Sequence, residues 1–293
     1  MTALVVGDVG GTSARFGIAQ LVDGVPHVEA FRKVPGDDFG RFSEALEAYL
    51  KETGAAPRHG LFALAGPVIN GGVSLVNRPE WPAIESAKIA RQFGLASVSL
   101  VNDFAAMARS VPALPDKAFL EVLPGVGQPG HPVLVAGPGT GFGVATILPD
   151  GQGWRVVSGE GGHSAYAPRT AKEFAVVEAL RKLGHEYVSN ELMLSGSSFD
   201  DVHQAVCDVH GQPYEPLSPQ AVLDCADTDD PVCRDICLLR ACGTLGAAGD
   251  FTLANGARGG VVIAGGVAQR LRTYIASERG PRLRNRLVAS SDA

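Results

Sequence analysis

No apolar run in the 293-residue chain approaches the about eighteen residues that a membrane-spanning helix needs. A basic block is also missing. The formal net charge is -6, which removes the attraction on which non-specific nucleic-acid binding depends. The start, Met1-Thr2-Ala3-Leu4, enters an apolar stretch without a basic n-region or small-residue cleavage site, so the cytoplasm is the expected location. Cysteine is scarce and odd in number: Cys207, Cys225, Cys233, Cys237 and Cys242 argue for reduced thiols over a disulfide framework. Cys233 and Cys237 sit four apart on an expected helix, but no close pair of further ligands completes a zinc spacing. There is no low-complexity linker, so any two domains share a tight boundary.

What is present is a composition of 45% hydrophobic and 19% charged residues, long enough for roughly two domains with a core in each. That is the profile of a soluble globular protein. Strands are expected at Ala3 to Val9, Ala14 to Gln20, Val28 to Val34, Gly60 to Ala65 and Val73 to Val76, and helices at Phe39 to Lys51 and Ile84 to Phe93. On the first helix Phe42, Leu46 and Leu50 recur on one face. The run Ser97 to Asn102 then ends in Asn102-Asp103, and a small-residue helical pattern, Ala105 to Arg109, follows at once. A strand feeds a helix there. Two roles stand open for Asp103: capping that helix, or acting as a general base at the carboxyl end of a strand, where α/β proteins place ligands.

A second block repeats the opening pattern. Pro132 to Ala136 and Val144 to Leu148 flank a glycine-rich turn, and Trp154 to Ser158 adds a third strand. Helices follow at Ala171 to Leu183, around Glu191, at Phe199 to Val209, Pro219 to Ala226 and Pro231 to Asn255, before an apolar strand, Val261 to Ala264. Gly243, Gly246 and Gly249 in the long helix suit close helix packing. The reading is an α/β protein: a small α/β domain over 1–109, and a large α/β domain with helical insertions over 110–293. The recurrence of a Gly/Thr hairpin near the start of each half suggests a duplicated unit.

Several stretches carry chemistry. In Asp8-Val9-Gly10-Gly11-Thr12-Ser13 the glycines let N–H groups converge on phosphate oxygens, Thr12 adds a donor, and Asp8 can hold a metal directly or through water. An ordinary Gly-Gly hairpin with an edge aspartate is the alternative. The Walker pattern is not met, because no Lys followed by Ser or Thr closes the turn. Gly137, Gly139, Gly141 and Gly143 around Thr140 exceed what a short turn needs and read as a second phosphate cradle. Gly265-Gly266 opens a helix after a buried strand, which suits backbone approach to a nucleotide. Asn102, Asp103, Glu160, His163 and Glu191 form a set able to grip sugar hydroxyls; a satisfied loop histidine and an exposed helix glutamate are the alternatives for His163 and Glu191.

Together, Gly-Asp-Val-Gly-Gly-Thr from Gly7, Val-Asn-Asp-Phe from Val101, Gly-Pro-Gly-Thr-Gly-Phe-Gly from Gly137, Gly-Glu-Gly-Gly-His from Gly159 and Ile-Ala-Gly-Gly-Val from Ile263 follow one order and spacing. From Val5 to about Arg270 the chain resembles the bacterial ATP-dependent glucokinases. The resemblance implies a hexokinase-like, actin-related fold of two RNase H-like α/β domains around a central cleft. It implies that Asp103 receives the proton of the glucose 6-hydroxyl, while Asn102, Glu160, His163 and Glu191 hold other hydroxyls. Asp8 would position Mg2+, the turns at Gly10-Gly11-Thr12 and Gly137 to Gly143 would cradle the ATP phosphates, and Gly265-Gly266 would lie by the adenosine. A homodimer is implied in the same way. Asn77-Arg78-Pro79-Glu80-Trp81 and Gly66-Pro67 resemble the edge of the family's sugar cleft.

The departures are local. Ser13 stands where Asn is usual, Leu192 where Arg is usual, and Ser197-Ser198 where Pro-Gly is usual. The stretch Ser277 to Ala293 is basic and polar and lacks the family's final apolar strand and glycine-rich helix, which raises a second expectation: a sugar-binding or regulatory relative with weak or no kinase activity. A regulator's helix-turn-helix is not expected ahead of the strand at Ala3, and the zinc signature of the related repressors is not found near His163.

Overall fold

In the computed structural model the β-branched residues of the first segment close into an antiparallel meander, β1 (Leu4–Val9), β2 (Ser13–Val22) and β3 (Val25–Pro35). The structure describes residues 3–10, 13–23, 25–75, 78–151, 153–228 and 230–276. Helix α1 (Phe42–Thr53) buries Phe42, Ala45, Leu46 and Tyr49, and ends at Gly54, whose φ of 64° lets its N–H return to Leu50 O. The buried face therefore turns one step from the expected 42/46/50 stripe, leaving Leu50 partly buried. Against it pack Phe16 and Phe62, with Phe42 and Phe62 edge-on at 4.9 Å.

Strand β4 (His59–Leu64) lies parallel to β1, and β7 (Ser97–Asn102) parallel to β4. Between them β5 (Gly72–Val73) pairs with β6 (Ile84–Glu85), and α2 (Ser86–Phe93) follows. The helix expected from Ile84 thus starts at Ser86, because Ile84 is buried as a strand partner of Val73. The sheet order is β3-β2-β1-β4-β7. Its register sets Val9, Leu64 and Asn102 side by side, so the carboxyl ends of three parallel strands coincide, and α3 (Asp103–Ser110) leaves from the last.

The chain divides at Ser110 and Val111 into two compact units. In the second, β8 (Val133–Pro138), β9 (Phe142–Asp150) and β10 (Gly153–Gly159) form an antiparallel meander, and β11 (Gly260–Ile263) runs parallel to β8. The order β10-β9-β8-β11 repeats β3-β2-β1-β4, so the duplication inferred from two hairpins extends to a parallel fourth strand. Helices α4 (Ala171–Lys182), α5 (Asn190–Leu194), α6 (Phe199–His210), α7 (Pro219–Asp227), α8 (Pro231–Asn255) and α9 (Gly266–Ala276) complete it. Pro231 at the first position, Asp230 capping Cys233 N at 2.8 Å and Gly256 beyond the end fix α8 where its sequence predicts. By length and a mean hydropathy of 1.2 α8 could cross a membrane, but 67% of that stretch is buried in the unit's core. The glycine spacing serves packing: a Cβ on Gly243 would lie 2.6 Å from Leu194, and one on Gly246 2.6 Å from Arg169.

Phe62 is fully buried within the aromatic cluster. Phe62→Ala should lower the first unit's stability by about 3–5 kcal/mol. Urea unfolding followed by circular dichroism measures this, and a loss below about 1 kcal/mol would contradict the packing described.

Candidate functional site

The end of β7 carries two polar side chains with different duties. Asn102 Oδ1 accepts from Ala105 N at 3.0 Å, and Asn102 Nδ2 donates to Gly66 O at 3.2 Å. Asn102 therefore supplies the cap bond that the sequence offered to Asp103, and it ties β7 to the loop after β4. Asp103 is the first residue of α3, and its Oδ1 accepts from Phe104 N at 2.7 Å. Burial pushes the Asp103 carboxyl above its ordinary range; the Phe104 N–H opposes the rise and the charge of Asp8 adds to it. A carboxylate held reluctantly charged at a strand end is suited to accepting a proton.

Asp8 belongs to the same unit. It faces Arg15 across the β1–β2 pair, with Arg15 Nη1 and Asp8 Oδ2 2.6 Å apart and both side chains half exposed. Gly10 N donates to Ser13 O at 3.1 Å, closing the turn, and a Cβ on Gly10 would have no described atom within 4 Å. Gly11 and Thr12, the rest of the expected phosphate turn, lie outside the described residues, as does the stretch from Ser277 to Ala293.

In the second unit the glycine-rich turn is shorter than its sequence suggests, since β8 runs to Pro138 and β9 begins at Phe142. Gly137 and Gly265 are demanded by the protein itself. Gly137 has φ of 153° and a Cβ there would sit 2.0 Å from Ala264 O, while Gly265, at φ of 99°, would strike Pro138 O at 2.4 Å. Gly139 and Gly266 differ: no described atom lies within 4 Å of where their Cβ would be, leaving room for a ligand's approach. The turn is held by its neighbours. Gly139 O accepts from Gly196 N at 2.8 Å, Thr140 O from Ser197 N at 3.1 Å, and Gly139 N donates to Gly141 O at 2.8 Å.

Phe142 joins this turn to the other candidates. Its N–H donates to Glu191 Oε2 at 2.8 Å, and a Cβ on Gly162 would lie 2.1 Å from its carbonyl oxygen. Gly162 thus presses the loop bearing Glu160 and His163 onto β9. Glu160 and His163 approach at 3.9 Å with side chains 73% and 64% exposed. The structure therefore brings Glu160, His163, Glu191, Gly137, Gly139, Thr140, Gly141, Gly265 and Gly266 together in one unit, while Asp8, Gly10, Asn102 and Asp103 gather in the other.

Sequence reasoning missed two supporting residues. Asn190, buried, donates to Ser164 Oγ at 3.0 Å and so ties the start of α5 to the loop after His163. Arg240, buried on α8, donates to Leu194 O at 2.7 Å and to Ser195 O, holding the segment that grips the glycine turn. The signal for Arg240 was its place in an otherwise apolar stretch of α8. Among the described residues no group of three or more His, Cys, Asp or Glu side chains converges to hold a metal. Burial lifts the Cys233 thiol to about 12 and the Cys237 thiol to about 11.

Comparison with known proteins places this geometry in context. A family model described as Glucokinase matches residues 5–282. A glucokinase of Nitrobacter hamburgensis is 39% identical over 283 residues, covering 94% of this chain and 86% of that protein. A crystal structure of a glucokinase from an Antarctic psychrotroph superposes with a TM-score of 0.81 at 30% identity, covering 99% of this chain and 88% of the other. A Streptomyces griseus ROK family glucokinase, solved with glucose and AMPPNP, shares the fold at a TM-score of 0.59 and 17% identity, covering 91% of this chain and 84% of the other. With a matched strand order in both units, the glycine turns at the carboxyl ends of β1 and β8 and a family match across most of its length, the chain belongs to the glucokinase family.

Proposed function

We propose that this chain transfers the γ-phosphoryl group of ATP to the 6-hydroxyl of glucose, with Asp103 as the base that receives the hydroxyl proton. The observation that carries this is the Asp103 carboxylate: partly buried where a parallel strand passes into α3, raised in pKa by that burial, and accepting a hydrogen bond from the Phe104 N–H. Phosphoryl transfer asks the protein chiefly for positioning and charge stabilisation, with a carboxylate to orient the nucleophile. The relative bound to glucose and AMPPNP supports both substrates.

The remaining roles follow from which polar atoms are already engaged. Asn102 has one amide hydrogen on Gly66 O, leaving the second for a sugar hydroxyl. Glu191 has Oε2 on Phe142 N, leaving Oε1 to accept from another. Glu160 and His163, open to solvent, complete the grip. Gly10, Gly11, Thr12, Gly139, Thr140 and Gly141 receive the phosphates, and Gly265 with Gly266 borders the adenosine.

Asp8 suits a magnesium ion that arrives on the nucleotide. Magnesium usually keeps its waters and takes only one or two protein carboxylates besides phosphate oxygens, and Asp8 is half exposed with its Oδ2 already paired to Arg15. Bound there, the ion would neutralise phosphate charge.

Asp103→Asn should lower kcat by about 10²–10⁴-fold while glucose binding changes little. In the wild type, activity should fall as pH drops through a value above the ordinary 3.8 of a carboxyl. The sign for stability is opposite. Because the folded state holds this proton more tightly than the unfolded chain, ionising Asp103 costs stability above its raised pKa, and the cost is relieved as pH falls through it. Asp103→Asn should therefore keep or raise Tm at neutral pH. Steady-state kinetics, glucose titration and thermal unfolding test this, and an equally active mutant would remove Asp103 from the mechanism.

Two glycines separate fold from ligand binding. Gly137→Ala forces a Cβ onto Ala264 O and should lower Tm, whereas Gly139→Ala meets open space and should leave Tm unchanged while raising the KM for ATP at least about tenfold. Equal KM values for Gly139→Ala and wild type would contradict the phosphate role of this turn.

A further inference from the structure

Arg78 is only 3% exposed, yet both acidic partners of its guanidinium face solvent. Nη2 donates to Asp37 Oδ1 at 2.7 Å and Nη1 to Glu80 Oε1 at 3.4 Å, and those two side chains are 89% and 61% exposed. Nε is buried and meets no acceptor among the described residues. The guanidinium carbon lies 5.0 Å from the centre of the Trp81 ring. Stability alone explains such a group poorly. A buried charge with incomplete partners carries a desolvation cost, and an apolar side chain of similar volume often packs as well without it. What the guanidinium adds is a fixed geometry, because its planar fork admits few arrangements of its partners.

The geometry it fixes is the junction of two segments. On one side lies Gly36, whose lack of a side chain makes room for the arginine: three guanidinium atoms would stand within 2.8 Å of a Cβ there. Gly36 follows Pro35, the residue of β3 that pairs with Ser13 at the start of β2. Ser13 O in turn accepts from Gly10 N, closing the turn read as the first phosphate cradle. On the other side is the arginine's own loop. Arg78 N donates to Leu75 O at 3.3 Å, Trp81 N to Arg78 O at 3.1 Å, and Trp81 Nε1 reaches across to Phe39 O at 3.0 Å. Ser74 O packs on Gly66, where a Cβ would lie 2.8 Å from it, and Gly66 O accepts from Asn102 Nδ2. Arg78 therefore stands between the foot of the phosphate turn and the loop that supports Asn102, all within the first unit.

We propose that Arg78 is a positioning residue for the transfer: it locks the loop behind Asn102 to the strand end beneath the phosphate turn, and so keeps the sugar in register with the phosphates. It acts through Gly66 and Asn102 on one side and through Gly36 and Ser13 on the other, not by contact with a substrate. The proposal rests on the kinase reading above and adds to it a residue and a link between two parts of the site.

The test is calorimetric glucose binding and steady-state transfer by the full chain, with folding followed by thermal unfolding. Arg78→Met keeps an apolar stem and removes the charge. Because Asp37 and Glu80 are exposed, no buried charge is left unpaired, and Tm should stay close to that of the wild type. Glucose affinity should fall at least about tenfold. The kcat should fall by about 10²-fold, the loss expected from a misplacement of about 1 Å. Asp37→Asn combined with Glu80→Gln approaches the same clamp from the surface and should weaken glucose binding about threefold, the size that two exposed ion pairs carry. Ile89→Ala opens a cavity in the same core and should lower Tm while leaving glucose affinity and kcat per folded molecule unchanged.

Folded Arg78→Met with wild-type glucose affinity and kcat, or with a lower Tm as its only change, would overturn the clamp. So would an Ile89→Ala variant that loses as much glucose affinity as Arg78→Met. If Arg78→Met does not fold, the Asp37 and Glu80 double variant decides alone, and undiminished glucose affinity there overturns the proposal. Wild-type chain that binds glucose without transferring phosphate would overturn the kinase reading instead, and the glucose titrations would still decide the clamp.

Discussion

Parallel pairing of β1 with β4 and of β8 with β11 is the constraint from which the candidate chemistry follows. Parallel neighbours end together, so whatever follows each strand is delivered to one edge of the sheet. In the first unit that edge holds Asp8, Gly10, Asn102 and Asp103. In the second it holds the turn after Pro138 and the glycine pair after Ala264, packed so closely that Gly137 and Gly265 leave no space for a Cβ. Two units with the same strand order thus present the same kind of edge, one carrying the carboxylates of Asp8 and Asp103 and the other carrying the glycine turns.

Much of this was legible in the amino-acid order because the signals were local. Proline and glycine bracket α8, β-branched runs mark the strands, and the glycine spacing marks the turns, where Gly137 and Gly265 leave no space for a Cβ. What escaped depended on contacts between segments distant in the chain. The cap on α3 comes from Asn102, because the strand end turns its amide toward Gly66 and Ala105, and a sequence that reads Asn-Asp cannot say which side chain will turn. Ile84 and Glu85 join a ribbon with Gly72 and Val73 although their spacing also suits a helix. Asn190 looks like an ordinary helix residue and Arg240 stands out only as a charge in an apolar stretch, until folding brings their partners, Ser164 and the carbonyls of Leu194 and Ser195, to them.

The electrostatics separate groups kept for stability from groups kept at a cost. Asp230 caps α8, and the bond from Cys233 N holds its carboxyl below the ordinary range, so it stabilises the folded chain when ionised. Asp103 is the reverse, a carboxylate whose ionisation the fold resists. Arg240 is likewise a charge whose burial is answered only in part. Proteins retain such groups where the surrounding structure offsets them and where chemistry or recognition uses them.

The most direct measurement is glucose-dependent ADP release by the 293-residue chain in the presence of ATP and magnesium, with the sugar product examined by phosphorus NMR. The account predicts ADP release that requires glucose and matches, mole for mole, phosphate on the 6-hydroxyl. ADP release that is independent of glucose, or none at all from a folded chain that binds the sugar, would contradict it.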